Sequence, residues 1–143
     1  MALFRKRGID ESLPKTDRGF GSLDDYRYDL RPRNKRVTIV LAGSDPHQDE
    51  LRDILASGSA ESETAISPRT IQQEGEDAPI EVRLFTGRRV SKTVGMVPRG
   101  LETVVDEALR RLDDRGEKVR IPARIVEKNG VHRVELLMGQ LNV

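Results

Sequence analysis

The stretch DPHQDE, residues 45–50, sets His47 among Asp45, Asp49 and Glu50, residue types that together bind divalent metal or exchange protons. Groups that face together on a helix lie three or four positions apart. His47 meets Glu50 at i+3 but Leu51 at i+4. One histidine and one carboxylate fall short of the three protein ligands that a hydrolytic metal centre uses. His132 joins them only if its own segment folds back onto the start of that helix. A metal-dependent hydrolase built on His47 and Glu50 therefore stands third among the readings below, and no cofactor is expected.

A second grouping is basic. GRRVSKTVGMVPRG, residues 87–100, carries Arg88, Arg89, Lys92 and Arg99 around a glycine-led turn, which suits contact with phosphate but lacks the loop-to-helix form of a phosphate cradle. A third lies in GFGSLDDYRYDLRPR, residues 19–33, where Tyr26 and Tyr28 alternate with Arg27 and Arg31, aromatics to stack on bases and cations for the backbone. Against these stands the absence of enzymatic motifs. There is no GxGxxG, Walker sequence, nucleophile elbow or HExxH. Cysteine is missing altogether, which excludes thiolate catalysis, thiolate zinc sites and disulfides. The sequence predicts no enzyme.

The elements that must position these residues divide the 143-residue chain in two. Residues 1–35 hold alternating short charge runs and few large apolar side chains at any regular period, the pattern of a flexible arm. Residues 36–143 read as a single domain with a variable acidic segment at 57–79. The net charge of +1 hides this segregation: residues 1–36 carry net +4, residues 37–79 net −7 and residues 80–143 net +4. MALFRKR, residues 1–7, runs in the reverse order from a signal peptide, and no apolar run approaches the roughly 20 residues that span a bilayer. A cytoplasmic location away from membranes is the expectation.

Within the domain, RVTIVLAG (36–43) predicts a strand, and SDPHQDELRDILASG predicts a helix with Asp45 as its cap, Gln48 as capping-box partner and Gly58 as its stop. A short strand is expected around residues 65–71, and alternation in IEVRLFTG predicts another, with Gly95 in the next one at a bulge or close backbone approach. The clearest helix is 101–112, where Leu101, Val104, Val105, Ala108, Leu109 and Leu112 share one face. Asp106 to Arg110 and Glu107 to Arg111 are favourable i,i+4 pairs along it. Asn129-Gly130 marks a closing hairpin, while Pro122 places its strand at an edge or bulge. The fold class expected is α+β or mainly β: a small curled antiparallel sheet or partly open β-barrel of five to six strands with two covering helices.

The order of two stretches resembles bacterial members of the HIRAN domain family. VLAGSDPHQDELRDIL (40–55) is similar to the family's opening strand, His-Gln-like turn and Leu-rich helix. GRRVSKTVGMVPRGLETVVDEAL followed by VRIPARIVEKNGVHRVELLM is similar to its strand into Val-Gly-Tyr-Leu-Pro, helix, Ala-x-Ile strand and closing Val-x-Leu strand. The likeness spans roughly residues 37–138 and is degenerate at its centre. QEGEDAPIEVRLF stands where the family commonly has Asn-Pro-x-Asp-Pro-Asn-Ala-Val, and Met96 replaces the tyrosine. The resemblance implies a small barrel-like module, attached to helicases or nucleases or found alone in bacteria and phages, whose eukaryotic relatives bind single-stranded DNA and its free 3′ hydroxyl end.

The leading expectation is thus a non-catalytic nucleic-acid-binding module for single-stranded DNA or its 3′ end, with Arg88, Arg89, Lys92, Arg99 and Met96 at the surface and Tyr26, Arg27, Tyr28 and Arg31 as arm contacts. The alternative is a protein-interaction or homo-oligomeric scaffold, favoured by the acidic middle segment and the edge signal at Pro122.

Overall fold

The computed structural model describes residues 12–141. Its centre is built from the Asn129-Gly130 hairpin. Both turn residues adopt positive φ, 53° and 77°, as the two-residue turn of this twist demands, and Lys128 pairs with Val131 across it. The eight strands described are β1 (Ile39–Val40), β2 (Glu61–Glu63), β3 (Glu81–Val82), β4 (Phe85–Thr86), β5 (Arg89–Val90), β6 (Gly95–Met96), β7 (Pro122–Lys128) and β8 (Val131–Leu136). They form a four-stranded antiparallel sheet of order β1-β8-β7-β2 and two separate pairs, β3 with β6 and β4 with β5. Isolated bridges, Ala42 to Met96 and Thr64 to Leu84, link these pieces. The fold is α+β, and the expected curled sheet or barrel is not formed: strands two residues long cannot sustain ladders around a closed wall.

Pairing alternates the two faces of the main sheet. Ile39, Ala123, Ile125, Val134 and Leu136 are buried, while Arg124 and Glu135 meet on the opposite, solvated face. Pro122 starts β7, an interior strand, so its missing N–H costs no internal ladder bond and does not mark an edge.

Three α-helices are described: α1 (Gln48–Ser57), α2 (Ile71–Gly75) and α3 (Glu102–Asp114). The six aliphatic side chains predicted for the α3 face are all buried. Glu107 pairs with Arg111 at 3.7 Å as expected, but Asp106 does not pair with Arg110. Asp106 is fully buried and binds Arg69, leaving Arg110 to Glu74. The short strand expected near 65–71 lies earlier, at β2, and that later stretch instead enters α2 through a capping box of Thr70 and Gln73.

The start of α1 is held from a distance. Residues 45–47 form a 3-10 turn rather than a side-chain-capped helix start. The carboxylate of Asp17 accepts the N–H groups of Ser44 and Asp45 at 2.8 and 3.0 Å, supplying the anion that a helix entrance favours. Asp45 turns to Arg133 at 2.8 Å, which also reaches Asp17. Gln48 clasps the backbone of His132, donating to its carbonyl and accepting from its N–H. Gly58 does end α1, with its N–H on the carbonyl of Leu55.

Residues 12–35, expected within a flexible arm, lie against this frame; residues 1–11 fall outside the described chain. Phe20 exchanges backbone hydrogen bonds with Val40 and covers the β1 edge, and Tyr26 enters the hydrophobic core. The boundary drawn at residue 36 therefore does not separate the core from what precedes it. Two buried anchors, Asp17 and Tyr26, outweigh the polar composition around them.

Candidate nucleic-acid interface

The β4–β5 hairpin carries Arg88 and Arg89 outward on a turn through Gly87. Its base is fixed by Ser91, a buried residue whose N–H donates to the Leu84 carbonyl at 2.8 Å while its hydroxyl accepts from the Leu84 N–H at 2.9 Å. Val90 between them is half exposed. The hairpin thereby divides two clefts of different charge.

Toward α1, Arg89 and Lys92 share a cleft with Glu50 and Asp53. The Glu50 carboxylate accepts the backbone N–H of Lys92 at 2.6 Å. A phosphate entering here would meet carboxylates as well as cations. On the opposite side, Arg83, Lys118 and Arg120 surround Phe85 and Val90 in an open cleft of about 510 Å³ that no carboxylate lines. The Arg120 guanidinium lies 3.9 Å from the centre of the Phe85 ring, within cation–π range, and 3.4 Å from Glu63. Arg83 and Val90 continue into a second hollow with Lys92 and His47, so the basic surface wraps the hairpin. Among the described residues Arg83, Arg88, Arg89, Lys92 and Lys118 form no ion pair.

Of the residues expected at the surface, Arg88, Arg89 and Lys92 are gathered there. Arg99 is not. Asp77 at 2.9 Å and Glu102 at 2.7 Å hold it beside the start of α3 and compensate its charge, the Glu102 contact being close without hydrogen-bond alignment. Met96 is half buried, its backbone paired with Ala42 and its methyl close to Gly43. Gly95 beside it is the close backbone approach the sequence suggested: a Cβ there would lie 2.8 Å from the Ser44 hydroxyl.

Tyr26 is buried and out of reach of a partner, whereas Arg27 and Tyr28 are exposed. Arg31 is exposed and bound to Asp29, and that hydrogen bond holds the Asp29 carboxyl below the usual carboxylate range. His47 and Glu50 do not assemble a metal centre: among the described residues no group of three or more His, Asp or Glu could hold an ion, and Glu50 is engaged by Lys92. Among those same residues no helix is long and apolar enough to cross a membrane.

The sequence reading missed Arg83, Phe85, Lys118 and Arg120. Arg83 is on the polar side of the alternation in IEVRLFTG, and nothing in the sequence singles out Lys118 or Arg120. Their convergence depends on Thr64, whose hydroxyl accepts the Ile121 N–H at 3.0 Å while its own N–H donates to the Ile121 carbonyl, and on the bridge from Thr64 to Leu84. No periodicity reports such a contact. Comparison with known proteins adds no further assignment: no family model, curated protein or solved structure matches the chain.

Proposed function

We propose that the protein binds single-stranded nucleic acid without catalysis, through the cleft beside the β4–β5 hairpin. The observation that carries this reading is the convergence of Arg83 and Lys118, neither ion-paired among the described residues, beside the Arg120–Phe85 contact in a cleft that no carboxylate lines. Cations there neutralise phosphates and release counterions, while the Arg120 guanidinium, laid over the half-buried Phe85 ring, offers a plane on which an unpaired base can stack. Arg88 and Arg89 extend the same field from the hairpin tip. The HIRAN-like order of motifs agrees with a DNA-binding module and adds the free 3′ end as the preferred feature.

Fluorescence anisotropy with short single-stranded DNA, free or blocked at its 3′ end, tests the reading over a salt series. Micromolar binding that weakens on blocking supports end recognition, and equal binding to both leaves a general phosphate surface. Replacing Arg88 and Arg89 together by alanine lowers the salt slope by about 1.4, at roughly 0.7 for each phosphate no longer neutralised. No binding at low salt sinks the proposal.

A self-associating scaffold is the second reading, and exposed Phe20 and Ile71, at 73% and 89%, are what favour it. Strand addition is disfavoured, because Phe20 covers the β1 edge and the other edge, β2, is three residues long and carries exposed Glu61 and Glu63. A mass that rises with concentration across the micromolar range would support it.

A further inference from the structure

A second basic cleft opens between the N-terminal segment and the turn that follows β8. It has a volume of about 640 Å³, and Arg27, Arg31, Asn34, Lys35 and Gln140 line it; Arg31 is bound to Asp29, which is not itself among the walls. Arg27 and Lys35 are exposed and, among the described residues, make no ion pair.

The cleft is a built feature of the fold. Gly139 donates its N–H to the Val37 carbonyl at 2.8 Å, tying the turn to the strand that Lys35 leads into. Asn34 accepts the Arg36 N–H through its side-chain oxygen at 2.8 Å, which turns its amide nitrogen away from that bond as a donor. The loop bearing Arg27 closes by the Leu30 N–H on the Arg27 carbonyl and is pinned by the Arg111 guanidinium on the Asp29 carbonyl. Leu30 adopts a φ of 67°, a conformation that a leucine holds only when its surroundings enforce it. Here the packing of Leu30 against the core enforces it and leaves Arg27 at the rim.

The two clefts also share one end of the main sheet. β7 begins, and β8 and antiparallel β1 respectively end and begin, at that end: Leu136 pairs with both Ile39 and Ala123. Lys35 precedes β1, Gln140 follows β8, and Lys118 and Arg120 precede β7. β8 lies between β1 and β7, so the segments that carry the two sets of cations lead into parallel strands separated by one other. The geometry points to one continuous track for a polyanion, in which a strand seated at Phe85 runs across the sheet end and places its next phosphates on Arg27 and Lys35. The inference rests on the function proposed above and extends it to a two-cleft site. It also gives a role to a segment that the core holds in place.

The test compares oligothymidylates of about four and about twelve nucleotides, the first at the short end of single-strand site sizes and the second well inside their range. Both are measured by anisotropy against Arg27→Ala/Lys35→Ala and Arg83→Ala/Lys118→Ala, with thermal unfolding confirming that each variant folds. The short probe is expected to bind the wild-type protein and the Arg27/Lys35 variant equally. For the long probe that variant binds about tenfold or more weakly near 0.1 M salt, with a salt slope lower by about 1.4. The Arg83/Lys118 variant weakens both probes. If the Arg27/Lys35 variant holds the long probe like the wild type while the Arg83/Lys118 variant does not, the second cleft is overturned and the functional reading stands. If neither probe binds the wild type, both fall together.

Discussion

Arg69 and Arg83 line the same shallow hollow beside Ser67, yet they serve opposite purposes. Arg69 is buried; its Nε–H donates to Asp106 at 2.8 Å, its own backbone N–H donates to the other carboxylate oxygen, and a further guanidinium N–H reaches the Ala78 carbonyl. Arg83 is exposed and unpaired beside Phe85. The molecule divides its other cations in the same way, with Arg133 locked to Asp17 and Asp45, and Arg88, Arg89 and Lys118 left free. Net charge is therefore a poor guide to binding in this chain, because the cations that can meet a polyanion are those the fold has not committed to its own carboxylates.

The locked set is where disruption is largest. Asp106→Ala strands a buried guanidinium, and equilibrium urea unfolding should show a loss of about 3–5 kcal/mol. Replacing both partners, as Arg69→Met with Asp106→Leu, should recover most of that loss, because a packed apolar pair avoids the desolvation of two charges. A double variant as unstable as Asp106→Ala would mean that the hydrogen bonds from Arg69 to the backbone, rather than the ion pair, hold this region.

Tyr26 gives an intermediate effect of opposite sign. Its hydroxyl is buried with no hydrogen-bond partner among the described residues, a cost of about 1–3 kcal/mol that Tyr26→Phe removes. The variant should melt higher. Burial first, and then the neighbouring Asp25 carboxylate, hold the Tyr26 hydroxyl protonated well above its ordinary range. The unfolded chain releases that proton near pH 10 and the folded one does not. The contribution is therefore intact below about pH 10 and is lost as pH rises beyond it, and Tyr26→Phe should flatten this alkaline decline. A decline of equal steepness in the variant would place its origin elsewhere.

What was legible in the sequence follows the range of the interactions. The α3 face, the Asn129-Gly130 turn and the Gly58 stop are local: spacing or turn chemistry specifies each within a few residues. The hairpin cations Arg88, Arg89 and Lys92 were legible for the same reason. Asp17 capping the entrance to α1 from an N-terminal segment, Asp106 meeting Arg69, and Lys118 and Arg120 closing around Phe85 were not, since each joins residues far apart in the chain. β1 and β3 to β6 are two residues long, and the alternation in IEVRLFTG runs on through the break between β3 and β4, so the small pairs could not be distinguished from a curled wall.

The smallest expected effect comes from the pair that resembles the lock most closely by distance. Arg124 and Glu135 face each other across β7 and β8 at 2.7 Å, as close as Arg69 and Asp106 at 2.8 Å. Their side chains are 47% and 22% exposed, against 7% and 0%. Water already solvates both charges in the open pair, and two guanidinium nitrogens converge on a single carboxylate oxygen instead of forming a two-oxygen fork. A double-mutant cycle with Arg124→Ala and Glu135→Ala should return a coupling of about 0.2–1 kcal/mol, shrinking as salt is raised. A coupling above about 2 kcal/mol, insensitive to salt, would show that separation governs ion-pair strength in this sheet. The expected small value would instead assign the contrast to burial: removing one partner of the exposed pair returns the other to water, whereas removing Asp106 leaves Arg69 enclosed.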